Sequence, residues 1–269
     1  EKVEVLSRAA EAMPVPIGKN KMNLSLDTDL SLRFVTLRNL RKRAVFKIQE
    51  GIVRGFREAL QKEGFTEIHS PKIVAQNAEG GANLFRMEYF GRRAYLAQSP
   101  QFYKQAMVPV YERVFEIGPV FRAEKHNTQR HLNEYTSMDF EMGFIDGFED
   151  IMQMETNVLQ NIMAVLKADY APQLAALHVS VPDVTSIPAV RFDDAKRMVS
   201  EKYGRAIRDP FALEPEEEQL ISRLFAEEYG SEFVFVTHYP SKKRPFYAAD
   251  DPEDPRYTLS FDLLFRGLE

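Results

Sequence analysis

Between residues 41 and 63 apolar side chains recur at helical spacing, with Val45, Ile48, Ile52, Phe56 and Leu60 on one stripe and Phe46 and Val53 on a second. Gly64 supplies a C-terminal stop. A helix that is apolar on more than one face calls for two partners. A sheet and a second subunit would serve, and so would complete burial within one chain. FTEIHSP (65–71) then reads as a strand stopped at Pro71. AEGGANLF (78–85) is a glycine-hinged loop carrying one acid, Glu79. AYLAQSPQFYKQAMVPV (94–110) begins as a short strand and continues as a helix opened by Ser99 and Pro100. Strands are expected over 113–124 and 134–144, helices over 148–168, 192–203 and 214–229, and strands over 232–240 and 257–269. The acidic run EPEEE (214–218) fits the solvated first turns of its helix, favoured by the helix dipole. Residues 1–30 carry MPVPIGKN and little periodicity, and read as a linker or an N-terminal arm. The pattern predicts an α+β fold with a mainly antiparallel sheet flanked by helices.

The strand at 113–124 alternates. Phe115, Ile117 and Phe121 take one face, and Glu116, Gly118, Val120, Arg122 and Glu124 the other. On the return strand Tyr135, Ser137, Asp139 and Glu141 share a face. Unpaired buried charge is costly, so this charged face is expected outside the core. Cross-strand ion pairs on a solvated face are the plain account. The connecting KHNTQRHLN gathers cationic and donor side chains, which suits phosphate. An arginine on a rigid strand, a nearby carboxylate and an aromatic that can stack together describe a nucleotide site.

Bulk properties narrow the classes. The chain has 269 residues, a net charge of −5 and no cysteine. Disulfides, thiolate zinc sites and cysteine nucleophiles are excluded, and a reducing, cytoplasmic setting is expected. A uniformly basic nucleic-acid coat is excluded as well, though local patches are not. RNLRKR (38–43) puts positive charge at a helix start, and KKRPFY (242–247) adds more, and both fit solvated patches or an anionic partner. No apolar run approaches the roughly 20 residues that span a bilayer.

FRAE (121–124) followed by RHLNEY (130–135) resembles motif 2 of the class II aminoacyl-tRNA synthetases. The 41–63 helix with FTEIHSP resembles motif 1, which in that family builds the dimer interface and ends in a proline matching Pro71. With AEGGANLF and QSPQFYKQ, nearly the whole chain resembles the aspartyl-tRNA synthetases of the archaeal and eukaryotic kind. The resemblance implies ATP and Mg²⁺, L-aspartate and tRNA for aspartate, with tRNA for asparagine left open, and a homodimer through residues 41–71. It implies that Arg122 holds the α-phosphate and the substrate carboxylate, and that Glu124 meets the adenine amino group. Arg130 and His131 would approach the outer phosphates, Leu132 would line the ATP site, and Tyr135 would stack on adenine. Glu79 would close over the amino acid, Ser99 and Gln101 would bind it, and Lys104 would pair with its side-chain carboxylate. Lys125, His126, Asn127 and Thr128 would lie near the tRNA acceptor end, and Glu269 would help hold Mg²⁺ and ATP.

By the same resemblance, residues 1–30 would be the hinge from an anticodon-binding domain, and residues 31–269 a catalytic domain lacking the glycine-rich motif 3. A chain cut in this way is expected to be inactive alone. The expected reaction is ATP-dependent activation of aspartate followed by transfer to tRNA. The rivals are an asparaginyl enzyme, a tRNA-independent relative resembling an asparagine synthetase, and a dimeric binding module without catalysis. The lysine of QSPQFYK argues against the first rival, since it suits an acidic substrate.

Overall fold

The computed structural model describes residues 2–8, 11–76, 83–125 and 132–269. Helices α1 (Leu26–Ser31), α2 (Arg33–Thr36) and α3 (Leu40–Lys62) come first. Strands β1 (Thr66–Glu67), β2 (Ile73–Val74), β3 (Arg86–Tyr89) and β4 (Arg92–Leu96) precede helix α4 (Gln101–Tyr111). The long hairpin β5 (Arg113–Phe121) and β6 (Glu134–Met142) leads to α5 (Glu149–Asp169) and α6 (Ala171–Leu177). Strand β7 (Ala189–Arg191), helices α7 (Phe192–Tyr203) and α8 (Pro215–Tyr229), and strands β8 (Phe233–Thr237) and β9 (Phe261–Phe265) complete the order. The chain divides into two compact units, residues 1–52 with 165–181 and residues 53–164 with 182–269.

In the first unit Asn39 caps α3. Its Oδ1 accepts from the Arg41 and Lys42 amides at 3.1 and 3.2 Å, satisfying donors that a helix start leaves orphaned. Its Nδ2 donates to the Ile17 and Lys19 carbonyls at 2.8 and 2.7 Å. The cationic helix start is thus partly neutralised, because Lys42 pairs with Asp29. The stretch expected to be a plain linker contributes α1 from residue 26 and a buried Val15. Val45 and Phe46 lie exposed on α3.

The second unit holds three three-stranded sets, ordered β1-β5-β6, β2-β4-β3 and β7-β8-β9. Antiparallel pairing dominates, with β1–β5 and β7–β8 parallel. The C-terminal half of α3 buries Phe56, Ala59 and Leu60. Phe56 meets Phe115 of β5 edge-on, ring centroids 6.0 Å apart. Burying the Phe56 and Leu60 side chains contributes about 2 kcal/mol each. Gly64 closes the helix at φ 80°, and the Phe65 amide reaches back to the Leu60 carbonyl at 2.9 Å. A separate core joins α7, α8, β8 and β9 through Phe192, Val199, Ile221, Leu224, Val236 and Leu264.

Several boundaries differ from the sequence pattern. The strand expected over 65–71 shrinks to β1, because only Thr66 and Glu67 pair with β5 and Pro71 follows. The strand expected over 257–269 is β9 alone, and the chain reverses at Arg266 and Gly267, both at positive φ. The charged face of β5 is not outside the core: Glu116 is 3% exposed. Its carboxylate accepts from the Ser70 amide (3.0 Å) and hydroxyl (2.6 Å) and pairs with Lys72 at 2.8 Å. Full pairing is what makes that burial tolerable. The acidic run at 214–218 is not all solvated either. Glu217 and Glu218 are buried, and Glu217 and Glu214 form a reciprocal capping box.

Candidate functional site

Helix α4 opens beside the end of β4, where the Ser99 hydroxyl accepts from the Gln101 amide at 3.0 Å. Gln101 and Lys104 share one helical face three residues apart, and that face looks onto β6. Lys104 is 4% exposed. Its ammonium lies 3.1 Å from Asp139 and 3.6 Å from Glu141, and donates to the Phe140 carbonyl at 3.4 Å. Gln101 Nε2 donates to Glu141 at 3.2 Å, and Ser137 donates to Asp139. The alternation read along β6 therefore aims Asp139 and Glu141 at one lysine, with Ser137 bonded to Asp139. One ammonium between two carboxylates leaves a local charge of −1.

A pocket of about 280 Å³ lies against the same turn, lined by Val74, Ala75, Gln76, Ala97, Gln98, Ser99, Phe102 and Tyr103. Gln98 is 3% exposed. Its Nε2 donates to the Asn83 carbonyl at 3.0 Å, and its Oε1 is buried with no hydrogen-bond partner among the described residues. Gln98 was not singled out in the sequence. Its place in QSPQ was the available signal.

The strand end bearing Arg122 is tied to this wall. The Phe121 amide donates to Ala97 and the Ala123 amide to Asn83, both at 2.9 Å. β5 stops at Phe121, so Arg122 and Glu124 follow the strand instead of belonging to it. The Arg122 guanidinium stands 5.8 Å from the centroid of the Tyr135 ring. Its Nε is buried with no hydrogen-bond partner among the described residues. A buried guanidinium nitrogen without an acceptor suits an anionic ligand. Glu124 is half-buried, Lys125 exposed, and Leu132 exposed. Glu79, His126, Asn127, Thr128, Arg130 and His131 lie outside the described residues.

Glu269 belongs to another group, on the β8–β9 side. Arg244 pairs with Asp262 at 2.6 Å and lies 3.9 Å from the Tyr239 ring centroid. Burial pushes the Tyr239 hydroxyl up, with the Asp262 and Glu269 charges adding to it. Burial, then Asp262, raises the Glu155 carboxyl to about 7. The KKRPFY cations are therefore not simply solvated: Arg244 holds Asp262, Lys243 faces Asp209 at 3.7 Å, and Lys242 lies over Phe211. His238 sits beside the same face, its ring edge-on to Phe148 and its pKa lowered by burial and then by Arg191. Among the described residues no group of three or more His, Cys, Asp or Glu could hold a metal ion, and no helix is long and apolar enough to cross a membrane.

Comparison with known proteins gives a consistent picture. Residues 25–269 match the family model "tRNA synthetases class II (D, K and N)". The aspartate–tRNA(Asp/Asn) ligase of Deinococcus radiodurans is 51% identical over 275 residues, covering 100% of this chain and 63% of the relative. The enzyme of the same name from Thermus thermophilus is 46% identical over 270 residues, with the same coverage. Asparaginyl-tRNA synthetase from Pyrococcus horikoshii, solved with asparaginyl-adenylate, superposes with a TM-score of 0.85 at 29% identity, covering 98% of this chain and 59% of that one. The chain thus spans about 63% of the length of the curated relatives it matches.

Proposed function

The chain belongs to the class II tRNA synthetases (D, K and N), and on that premise we propose that it carries most of the catalytic domain of an aspartate–tRNA ligase. The observation that carries the choice of substrate is the buried ammonium of Lys104 behind the QSPQ turn. The two relatives named as aspartate–tRNA(Asp/Asn) ligases are the more similar ones, and the asparaginyl structure shares less sequence. Their names also bring tRNA for asparagine into this proposal as a second acceptor.

The reaction has two steps. An α-carboxylate oxygen of aspartate attacks the α-phosphorus of ATP, and the bond to the bridging oxygen breaks, releasing pyrophosphate. A hydroxyl of the terminal adenosine of tRNA then attacks the activated carbonyl, and AMP departs. Neither step needs a side-chain nucleophile, so catalysis is positioning and charge stabilisation. Arg122 would meet the α-phosphate and the substrate carboxylate, with its Nε, unpartnered among the described residues, as a donor. Glu124 would take the adenine amino group and Tyr135 the adenine face, while Leu132, Arg130 and His131 would border the ATP. Ser99, Gln98 and Gln101 would hold the amino acid, and Glu79 would close over it. Lys125 with residues 126–128 would face the acceptor end. Mg²⁺ needs few protein carboxylates when phosphates supply the other oxygens, so Glu269 would be its protein ligand. Held there, Mg²⁺ would supply charge neutralisation to the phosphates.

The rest of the reading follows the family. Residues 1–30 would hinge an anticodon-binding domain, residues 31–269 would be catalytic, exposed Val45 and Phe46 would meet a second subunit, and the setting would be the cytoplasm. The test is aspartate-dependent ATP–pyrophosphate exchange, run on this chain and on a chain extended through the end of its gene. Exchange with aspartate and not asparagine in the extended chain alone is the expected result. No exchange with any amino acid in either chain would sink the proposal.

A further inference from the structure

The tip of the β3–β4 hairpin plays no part in the site above, yet it is unusual. Phe90 and Gly91 form its two-residue turn, both at positive φ (49° and 75°). That turn favours Asn-Gly, and a bulky residue at positive φ is strained. Phe90 is also 91% exposed, so packing within the chain does not repay the strain. Tyr89 stands edge-on to it, ring centroids 4.8 Å apart, and is 46% exposed. Arg86, Arg92 and Arg93 flank the aromatic pair around a shallow groove of about 390 Å³, with Met87, Glu88 and Gly91. Their side chains enter no ion pair among the described residues. Three guanidiniums and one carboxylate within residues 86–93 stand out in a chain of net charge −5.

We propose that this hairpin is a nucleic-acid contact, with Arg86, Arg92 and Arg93 on phosphates and Phe90 stacked on an unpaired base. The inference rests on the proposed ligase in taking tRNA as its RNA. Charge complementarity favours RNA over a protein partner, which would have to present carboxylates to three separate guanidiniums while also covering two rings. Arginine on phosphate beside an aromatic platform is the combination that binds exposed strands.

The test uses the full-length protein, a fluorescent tRNA transcript and two surface variants. Phe90→Asn suits the turn, so it leaves the melting temperature unchanged or higher while removing the stacking ring. The double variant Arg92→Gln with Arg93→Gln removes two phosphate contacts. Each is expected to raise the Kd for tRNA about tenfold, and the double variant to flatten the slope of log K against log salt by about 2. Aspartate-dependent exchange without tRNA stays within twofold of the parent. Unchanged tRNA affinity in both variants overturns the proposal. So does weaker binding that comes only with a fall in molar mass by light scattering, which would make the hairpin a contact between copies. A parent that binds tRNA through this hairpin but exchanges no amino acid would overturn the ligase reading and leave this one standing.

Discussion

Two lysines of the second unit are almost equally buried, Lys104 at 4% and Lys196 at 3%, yet their surroundings differ in kind. Lys196 on α7 lies 2.8 Å from both oxygens of Glu217 and donates to the Ala212 carbonyl at 2.9 Å. Glu217 is itself only 2% exposed and takes Arg205 as well, at 2.9 Å. Every donor and acceptor there is committed, and the network lies among the α7–α8 core side chains. Lys104 instead faces Asp139 and Glu141, whose side chains are 24% and 29% exposed, at longer distances of 3.1 and 3.6 Å. The first arrangement locks a cation into a fold. The second buries a cation beside carboxylates that keep partial contact with solvent.

The largest expected effect breaks the second arrangement. In the full-length protein Lys104→Met is expected to lower aspartate-dependent exchange by about a thousandfold, if Lys104 is the desolvated partner of the substrate carboxylate as proposed. Stability falls by only about 1 kcal/mol, since Asp139 and Glu141 keep access to water. Exchange equal to the parent's would remove aspartate recognition from Lys104. Lys196→Met reverses the balance. Glu217 loses its closest cation, and breaking a buried pair costs about 3 kcal/mol. Arg205 keeps this at the lower end of the usual range. Urea unfolding measures the loss, and exchange per folded molecule stays at the parent level.

Glu155 sharpens the contrast as a desolvated carboxyl near Asp262, with a pKa of about 7 against the ordinary 4.5. Below 4.5 it is protonated both folded and unfolded, and the stability is fully present. As pH rises toward 7 the unfolded chain ionises first, so stability is lost through that window and the loss levels off above it. Glu155→Gln is expected to stabilise the protein by about 3 kcal/mol at pH 8 and by nothing measurable at pH 4. A gain of equal size at both pH values would exclude ionisation as the cause.

The sequence reveals these regions unevenly. The 3.6-residue and two-residue periods located α3, α7 and the β5–β6 hairpin within a residue or so at most ends, because each buries one repeating face. Lys104 and Gln101 were singled out by the family resemblance, since a three-residue spacing on a helix is common, while Asp139 and Glu141 stood out by their shared face. What pattern alone withheld was the partner across space. Nothing along the chain says that Glu116 reaches Ser70 and Lys72, or that Glu217 lies between Lys196 and Arg205. Both acids were therefore expected in water. Only the second strand of the β3–β4 hairpin was expected, from residue 94, because Phe90 stands before Gly91 where Asn usually signals the reversal.

The finest test asks whether the local charge of −1 at Lys104 is set by geometry or is merely tolerated. Glu141 is the more distant carboxylate at 3.6 Å, and its other bond, from Gln101, needs only an acceptor oxygen. Glu141→Gln keeps that oxygen and the side-chain shape while bringing the local charge to zero. A partly exposed pair at this distance contributes less than about 1 kcal/mol, so thermal unfolding shifts little. Aspartate no longer meets a second fixed carboxylate, and its KM in the exchange reaction is expected to fall about threefold with kcat unchanged. A KM that rises, with kcat unchanged, would mean that Glu141 holds Lys104 in the orientation aspartate needs. Lys104 would then resemble Lys196 more closely than the distances imply.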